Sequence, residues 1–173
     1  MVSRALRSII VATIIVGFAG VSIAEDKEDE PDPTILRIAL ADAATTLQKG
    51  MTASEPHGMP ISAKFEMSSG DMQLSVYTAK ANGFIELLLD PKTGAVIKAA
   101  PITDAADLAD ATAQKAIMEK ATMSLLAATE KAVRENAGSR AVSVVPELQQ
   151  ERPVAKVNLL RSRDITIVLE ALN

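Results

Sequence analysis

Ile61, Ala63, Phe65 and Met67 alternate with Ser62, Lys64 and Glu66, the two-residue period of a half-buried strand. Ser68-Ser69-Gly70-Asp71 then turns the chain, and Leu74, Val76 and Thr78 alternate with Gln73, Ser75 and Tyr77. Asn82-Gly83 is a hairpin signal, because both residues tolerate positive φ. Phe84–Leu89 is the most apolar strand and is expected to be central. Asp90-Pro91-Lys92-Thr93-Gly94 fits a tight turn, with a short fourth strand over Ala95–Ala99. Late in the chain Val142, Val144 and Leu148 precede the turn Gln149–Arg152. Ala155, Val157 and Leu159 follow, then the turn Arg161–Asp164, then Ile165, Ile167 and Leu169.

Two helices are predicted around these strands. Asp32-Pro33 can cap and start the first, Leu36, Leu40, Ala43, Ala44 and Leu47 give its apolar face, and Gly50 can stop it after Lys49. Residues Gly50–Pro60 read as loop. The second runs from Asp104, its cap, to Ala137, with Gly138 as the stop. At about 33 residues it would span roughly 50 Å, so part of it is expected to bend or to act as a connector.

The order helix, then three strands, occurs twice. A shift of 81 positions carries Ile61, Ala63, Phe65 and Met67 onto Val142, Val144, Pro146 and Leu148. It also carries Leu74, Val76 and Thr78 onto Ala155, Val157 and Leu159. For the third strand a shift of 80 matches apolar with apolar, Ile85, Leu87 and Leu89 onto Ile165, Ile167 and Leu169. Pleat parity then places a one-residue difference in the second hairpin loop. The units are 32–103 and 104–173, the latter containing the long helix.

Ahead of them Arg4 and Arg7 precede an uncharged apolar run from Ile9 that ends in Ser22-Ile23-Ala24. A basic start, a short apolar stretch and a small-x-small end make residues 1–24 a secretory signal peptide. The run of roughly 16 residues is short for a spanning helix, which needs about 20. Residues 25–31, acidic and then Pro-bearing, read as a flexible arm. The expected location is periplasmic or secreted, with membrane contact only through the signal segment if cleavage fails.

The residues Gly83-Phe84-Ile85-Glu86-Leu87-Leu88-Leu89-Asp90-Pro91-Lys92-Thr93-Gly94-Ala95-Val96-Ile97, behind a helix, a meander and a secretory leader, resemble the PepSY domain family. The second unit is similar through Arg140–Pro146 and Arg152–Leu169, without the Asp-x-x-Thr-Gly turn. The resemblance implies an α+β fold of two units, each a helix on a three- to four-stranded antiparallel sheet. It also implies a non-catalytic extracytoplasmic module that binds or restrains a peptidase. It carries over no catalytic residues and no cofactor.

Composition narrows the chemistry. The 173 residues include no Cys, no Trp, one His and one Tyr, with a net charge of −4. Disulfides, thiolate sites and multi-His metal sites are excluded, and the acidic balance argues against nucleic acid. Loss of two leader arginines leaves 16 basic against 22 acidic residues, about −6. Met51, His57 and Met59, with Met67 and Met72 downstream, make an alternative Cu(I) site, since thioether and imidazole ligands suit that ion. Met fills core gaps routinely, which is the competing reading. Glu55 with Glu66, or Asp71 with Glu86, are the conceivable acid–base pairs. Glu66 and Glu86 nevertheless alternate with core positions, as solvent-facing strand residues do. Ser68, Ser69 and Ser139 lack an adjacent base and read as turn residues. Arg152, Lys156, Arg161 and Arg163 gather in the last hairpin, on what is expected to be a solvated edge or a contact for an acidic partner. The expectation is a protein-binding scaffold with no catalytic site and no cofactor.

Overall fold

A computed structural model describes residues 33–68 and 70–173. The predicted leader and acidic arm lie outside these residues. In chain order the elements are α1 (Pro33–Ala41), α2 (Leu47–Ser54), β1 (Met59–Ser68), β2 (Asp71–Lys80), β3 (Gly83–Leu89), β4 (Val96–Pro101), α3 (Ala105–Met118), α4 (Leu125–Glu135), β5 (Arg140–Gln149), β6 (Arg152–Arg161) and β7 (Asp164–Ala171). The fold is α+β. All seven strands form one sheet in the order β4-β3-β2-β1-β5-β6-β7, antiparallel throughout. The two predicted units, whose sequence left open one sheet or two, thus share one continuous sheet. Its central strand is β1, not Phe84–Leu89, which lies one place in from an edge.

The strand registers repeat. Ala63 faces Val76 in the first hairpin, and Val144 faces Val157 in the second, each residue 81 positions after its counterpart. The bulge repeats too, between Pro60 and Ser62 in β1 and between Ala141 and Ser143 in β5. Where β1 meets β5, Ala63 pairs with Val144, a residue with its own counterpart. That pair therefore sits on the local twofold relating the two halves of the sheet. The third strand keeps the same shift: Val76 faces Leu87, and Val157 faces Val168. This corrects the expected shift of 80. Both second hairpins close with two residues, between Lys80 and Gly83 and between Arg161 and Asp164, so no loop absorbs a difference. The core face of β7 is thus Thr166, Val168 and Glu170, and Ile165, Ile167 and Leu169 point the other way.

Helices lie on both faces. Leu74, Val76, Leu87 and Leu89, with Val144, Ala155, Val157 and Leu159, are fully buried on the face that α2 and α4 cover. Leu47 and Met51 of α2 and Ala128 and Ala132 of α4 supply the facing apolar positions, again 81 apart. The opposite face bears Glu66, Ser75, Tyr77 and Glu86, and α3 crosses it over β2, β1 and β5.

Both predicted helices prove to be pairs. The chain breaks after Ala41, and the Thr46 hydroxyl caps a new helix by accepting from the Lys49 N–H at 3.2 Å. Gly50 lies inside that helix and is not a stop. A Cβ there would stand 2.4 Å from Leu74 Cδ2, so its role is close approach of helix to sheet. The span 104–137 splits as well. Asp104 caps α3 as expected, accepting from the Ala106 and Asp107 N–H groups at 2.9 and 3.3 Å. After Met118 the chain passes an end of the sheet, where the Thr122 and Met123 N–H groups donate to the Leu172 carbonyl at 2.7 and 3.0 Å. Ser124 then caps α4 on the other face, accepting from the Ala127 N–H at 3.1 Å. No Pro or Gly is needed for this break, because tertiary hydrogen bonds replace those the helix gives up.

Candidate functional site

Three features could carry function: a polar cluster beneath α3, an arginine clamp between the halves, and the free edge at β7.

The polar cluster begins with strand parity. Lys64, Glu66, Gln73, Ser75, Tyr77 and Glu86 alternate with core residues and so share the α3 face. They are not solvent-facing, as the alternation alone suggested for Glu66 and Glu86. Glu66 is 9% exposed. It accepts from the Ser75 hydroxyl and from the Gln73 amide at 2.9 Å, and Lys64 Nζ lies 2.8 Å from its other oxygen. The Tyr77 hydroxyl donates to Glu86 at 3.1 Å. Burial raises the Glu86 pKa, helped by the charge of Glu66 and opposed by the Tyr77 hydrogen bond. Burial and the adjacent carboxylates of Glu86 and Glu66 keep the Tyr77 phenol protonated. Asp110, on α3, is raised by burial and by Asp107. In the cluster Glu66 carries a cation and neutral donors and Glu86 a phenol donor, while Gln114 Oε1 of α3 and Asn158 Oδ1 of β6 are buried with no hydrogen-bond partner. The cluster fastens the sheet. The other imagined partners are apart from it: Glu55 is exposed in the 3₁₀ turn Glu55–His57, and Asp71 is exposed at the start of β2.

At the clamp, Arg140 donates to the carbonyls of Leu40 and Ala43 at 3.1 and 3.0 Å and to that of Thr45. Its guanidinium stands 5.1 Å from the Phe65 ring centroid. The carbonyls at the end of α1 and along its link to α2 are thus satisfied by a residue from the other half of the chain. Burial lowers the Arg140 pKa from its usual range.

The Met/His set occupies three environments. Met51 is wholly buried in the core, Met59 is 40% exposed at the start of β1, and His57 lies half-buried between them in sequence. The His57 carbonyl accepts from the Thr78 hydroxyl at 3.3 Å. Met51 packs as a core residue. Among the described residues no group of three or more His, Cys, Asp or Glu side chains could hold a metal ion.

At the β7 edge, Ile167 and Leu169 are 57% and 43% exposed, beside partly buried Ile165. Arg161 and Arg163 flank the turn above the strand and Arg152 the turn below, all exposed. Lys156 instead pairs with Glu147 at 3.1 Å. The exposed apolar stripe is the feature that reading for parity missed. The sequence signal was available, because an unbroken shift of 81 places Glu170, not Leu169, opposite Ala155. Glu170 is 4% exposed and is met by Lys131 of α4, whose pKa that hydrogen bond raises.

No family model matches this chain, and no curated protein matches it. The solved structure of a "putative lipoprotein" from Clostridium difficile 630 is similar to it, with a TM-score of 0.40 and 13% identity, over 70% of this chain and 82% of that one. Among the described residues no helix is long and apolar enough to cross a membrane.

Proposed function

We propose that the chain is an extracytoplasmic PepSY-like protein of two fused units that binds a secreted or envelope peptidase and restrains it, without catalysis of its own. The reading rests on one observation above others: two halves of the sheet with one register, closed on the first side by the Asp90–Gly94 turn. In that turn Asp90 accepts from the Lys92 and Thr93 N–H groups at 2.9 and 2.7 Å, and Gly94 takes φ +76°. These bonds fix the Asp-x-x-Thr-Gly turn on which the resemblance rests. Those hydrogen bonds hold the Asp90 pKa below the usual carboxylate range. The secretory pattern of residues 1–24 supplies the location.

The test is crosslinking of the full chain in its native envelope, followed by identification of attached proteins and assay of any captured peptidase with the purified chain added. A captured peptidase whose initial rate falls on titration supports the reading. Repeated recovery of no peptidase, or a captured one whose rate does not change, overturns it.

A further inference from the structure

The local twofold relates β3 to β7, but the two strands differ in what lies outside them. β3 is flanked by β4, whereas among the described residues no strand lies outside β7. β4 runs antiparallel to β3, with Ala100 opposite Glu86 and Lys98 opposite Leu88. The matching positions on β7 are Ile167 and Leu169, on the exposed stripe. Edges are usually defended by Pro, Lys, bulges or shortness. β4 carries Lys98, a register shift and a terminal Pro101. β7 is eight residues, DITIVLEA, without Pro, Lys or a bulge, and its inward-pointing charge, Glu170, is taken up by Lys131. Arginines stand at both ends of it: Arg161 and Arg163 above, Arg152 below, none in an ion pair among the described residues. Glu151 and Asp164 share those turns, leaving the edge net cationic in a chain of net charge −4. Beside the lower end a depression of about 260 Å³ is lined by Gln150, Arg152, Val154, Leu169 and Ala171.

We infer that β7 receives an extended segment of a partner protein as an eighth strand, in the place that β4 takes beside β3. The inference rests on the protein-binding reading above and names its contact. Backbone hydrogen bonds along the edge supply affinity, and alternate side chains supply selectivity. The segment runs antiparallel to β7 for about six residues, the length of β4. It places apolar side chains beside Ile167 and Leu169. Its ends carry carboxylates, which the forked guanidinium groups of Arg152, Arg161 and Arg163 can bind through paired hydrogen bonds.

The test uses the full chain and labelled peptides, followed by fluorescence anisotropy. The probe alternates three valines with two threonines between a Glu pair at each end. Its control carries Lys pairs instead. Binding of the Glu-ended probe is expected to weaken at least tenfold in I167K/L169K, and to reverse in preference toward the Lys-ended peptide in R161E/R163E. The change I97K on β4 leaves binding unaltered. All three variants alter exposed positions, and unchanged circular dichroism establishes that they fold. Equal binding by I167K/L169K, or an equal affinity for the Lys-ended peptide, overturns the inference. So does a wild-type dimer by sedimentation that I167K/L169K makes monomeric, which would assign the edge to a second copy. Binding to anionic phosphatidylglycerol vesicles with no binding of either peptide overturns it in favour of a lipid surface. A peptidase still captured by I167K/L169K refutes the edge and leaves the proposed function standing. Peptide binding at β7 with no peptidase captured does the reverse.

Discussion

Gly50 and Leu74 form a pair whose counterparts, Lys131 and Ala155, show another solution to the same space. In the first half the helix carries no side chain and the sheet carries Leu74, 2.4 Å from where a Cβ would be. In the second half the sheet residue shrinks to Ala155 and the helix residue grows to Lys131. Its amine reaches Glu170, the counterpart of Leu89. Gly50→Ala alone gains about 1 kcal/mol of helix propensity. It also overpacks a fully buried leucine, at about 1–3 kcal/mol. A net loss of about 1 kcal/mol is expected. Leu74→Ala alone opens a cavity in the core and costs about 3 kcal/mol. In the double variant the new methyl meets no leucine and fills part of the void. Its loss should fall short of the sum of the single losses by at least about 1 kcal/mol, since contacting residues couple by about 0.5–3 kcal/mol. Urea unfolding at constant m, followed by circular dichroism because the chain has no Trp, measures all four corners of the cycle. Losses that add within about 0.5 kcal/mol would refute the account of Gly50 as a close-approach residue.

Three further outcomes are expected. The β5–β6 turn holds Gln150 at φ 49° and Glu151 at φ 65°, the left-handed region that glycine adopts without strain. Glu151→Gly should stabilise by about 1 kcal/mol, read as a higher urea midpoint. Arg140→Lys keeps the charge but cannot fork onto the carbonyls of Leu40, Ala43 and Thr45, and should cost about 2 kcal/mol in the same assay. Burial raises the folded-state pKa of Glu86 and Asp110, so the folded chain binds their protons more tightly than the unfolded chain. Stability should therefore rise as pH falls through those raised values toward the ordinary carboxylate range. Asp90, whose pKa is lowered, acts oppositely: its contribution is lost as pH falls below that range. Urea midpoints measured from pH 8 to pH 3 check both limbs, and Glu86→Gln should flatten the first.

Strand positions and most of the core were legible because period-two alternation maps directly onto pleat. Ile61, Ala63, Phe65, Leu74, Val76, Leu87 and Leu89 are all buried where alternation put them. The repeat was legible over the first two strands of each half, where a shift of 81 survives low identity because burial is preserved. Failures arose where tertiary contacts override local pattern. The break between α3 and α4 depends on the Leu172 carbonyl, about 50 residues away, which no local signal encodes. The β7 parity was misread because matching apolar with apolar assumes that every apolar strand residue faces the core. Ile167 and Leu169 do not, and Glu170 does because Lys131 is there to receive it. The polar cluster under α3 was hidden for the converse reason. Glu66 and Glu86 alternate with core residues as surface groups would, and only the passage of α3 across that face buries them.

The meeting of β1 and β5 has a mechanical consequence. Each hairpin is laced along nearly its whole length, whereas the strands of the two halves pair at Ala63–Val144 and Lys64–Ser143, backed by the Arg140 clamp and the passage of α3. A load drawn between the two outer strands reaches that short join as its weakest rung. The molecule should part there into two intact hairpin sheets, tethered by the segment that runs through α3. In a concentrated solution the same tether would let neighbouring molecules trade halves, each completing the other across the rung it had lost.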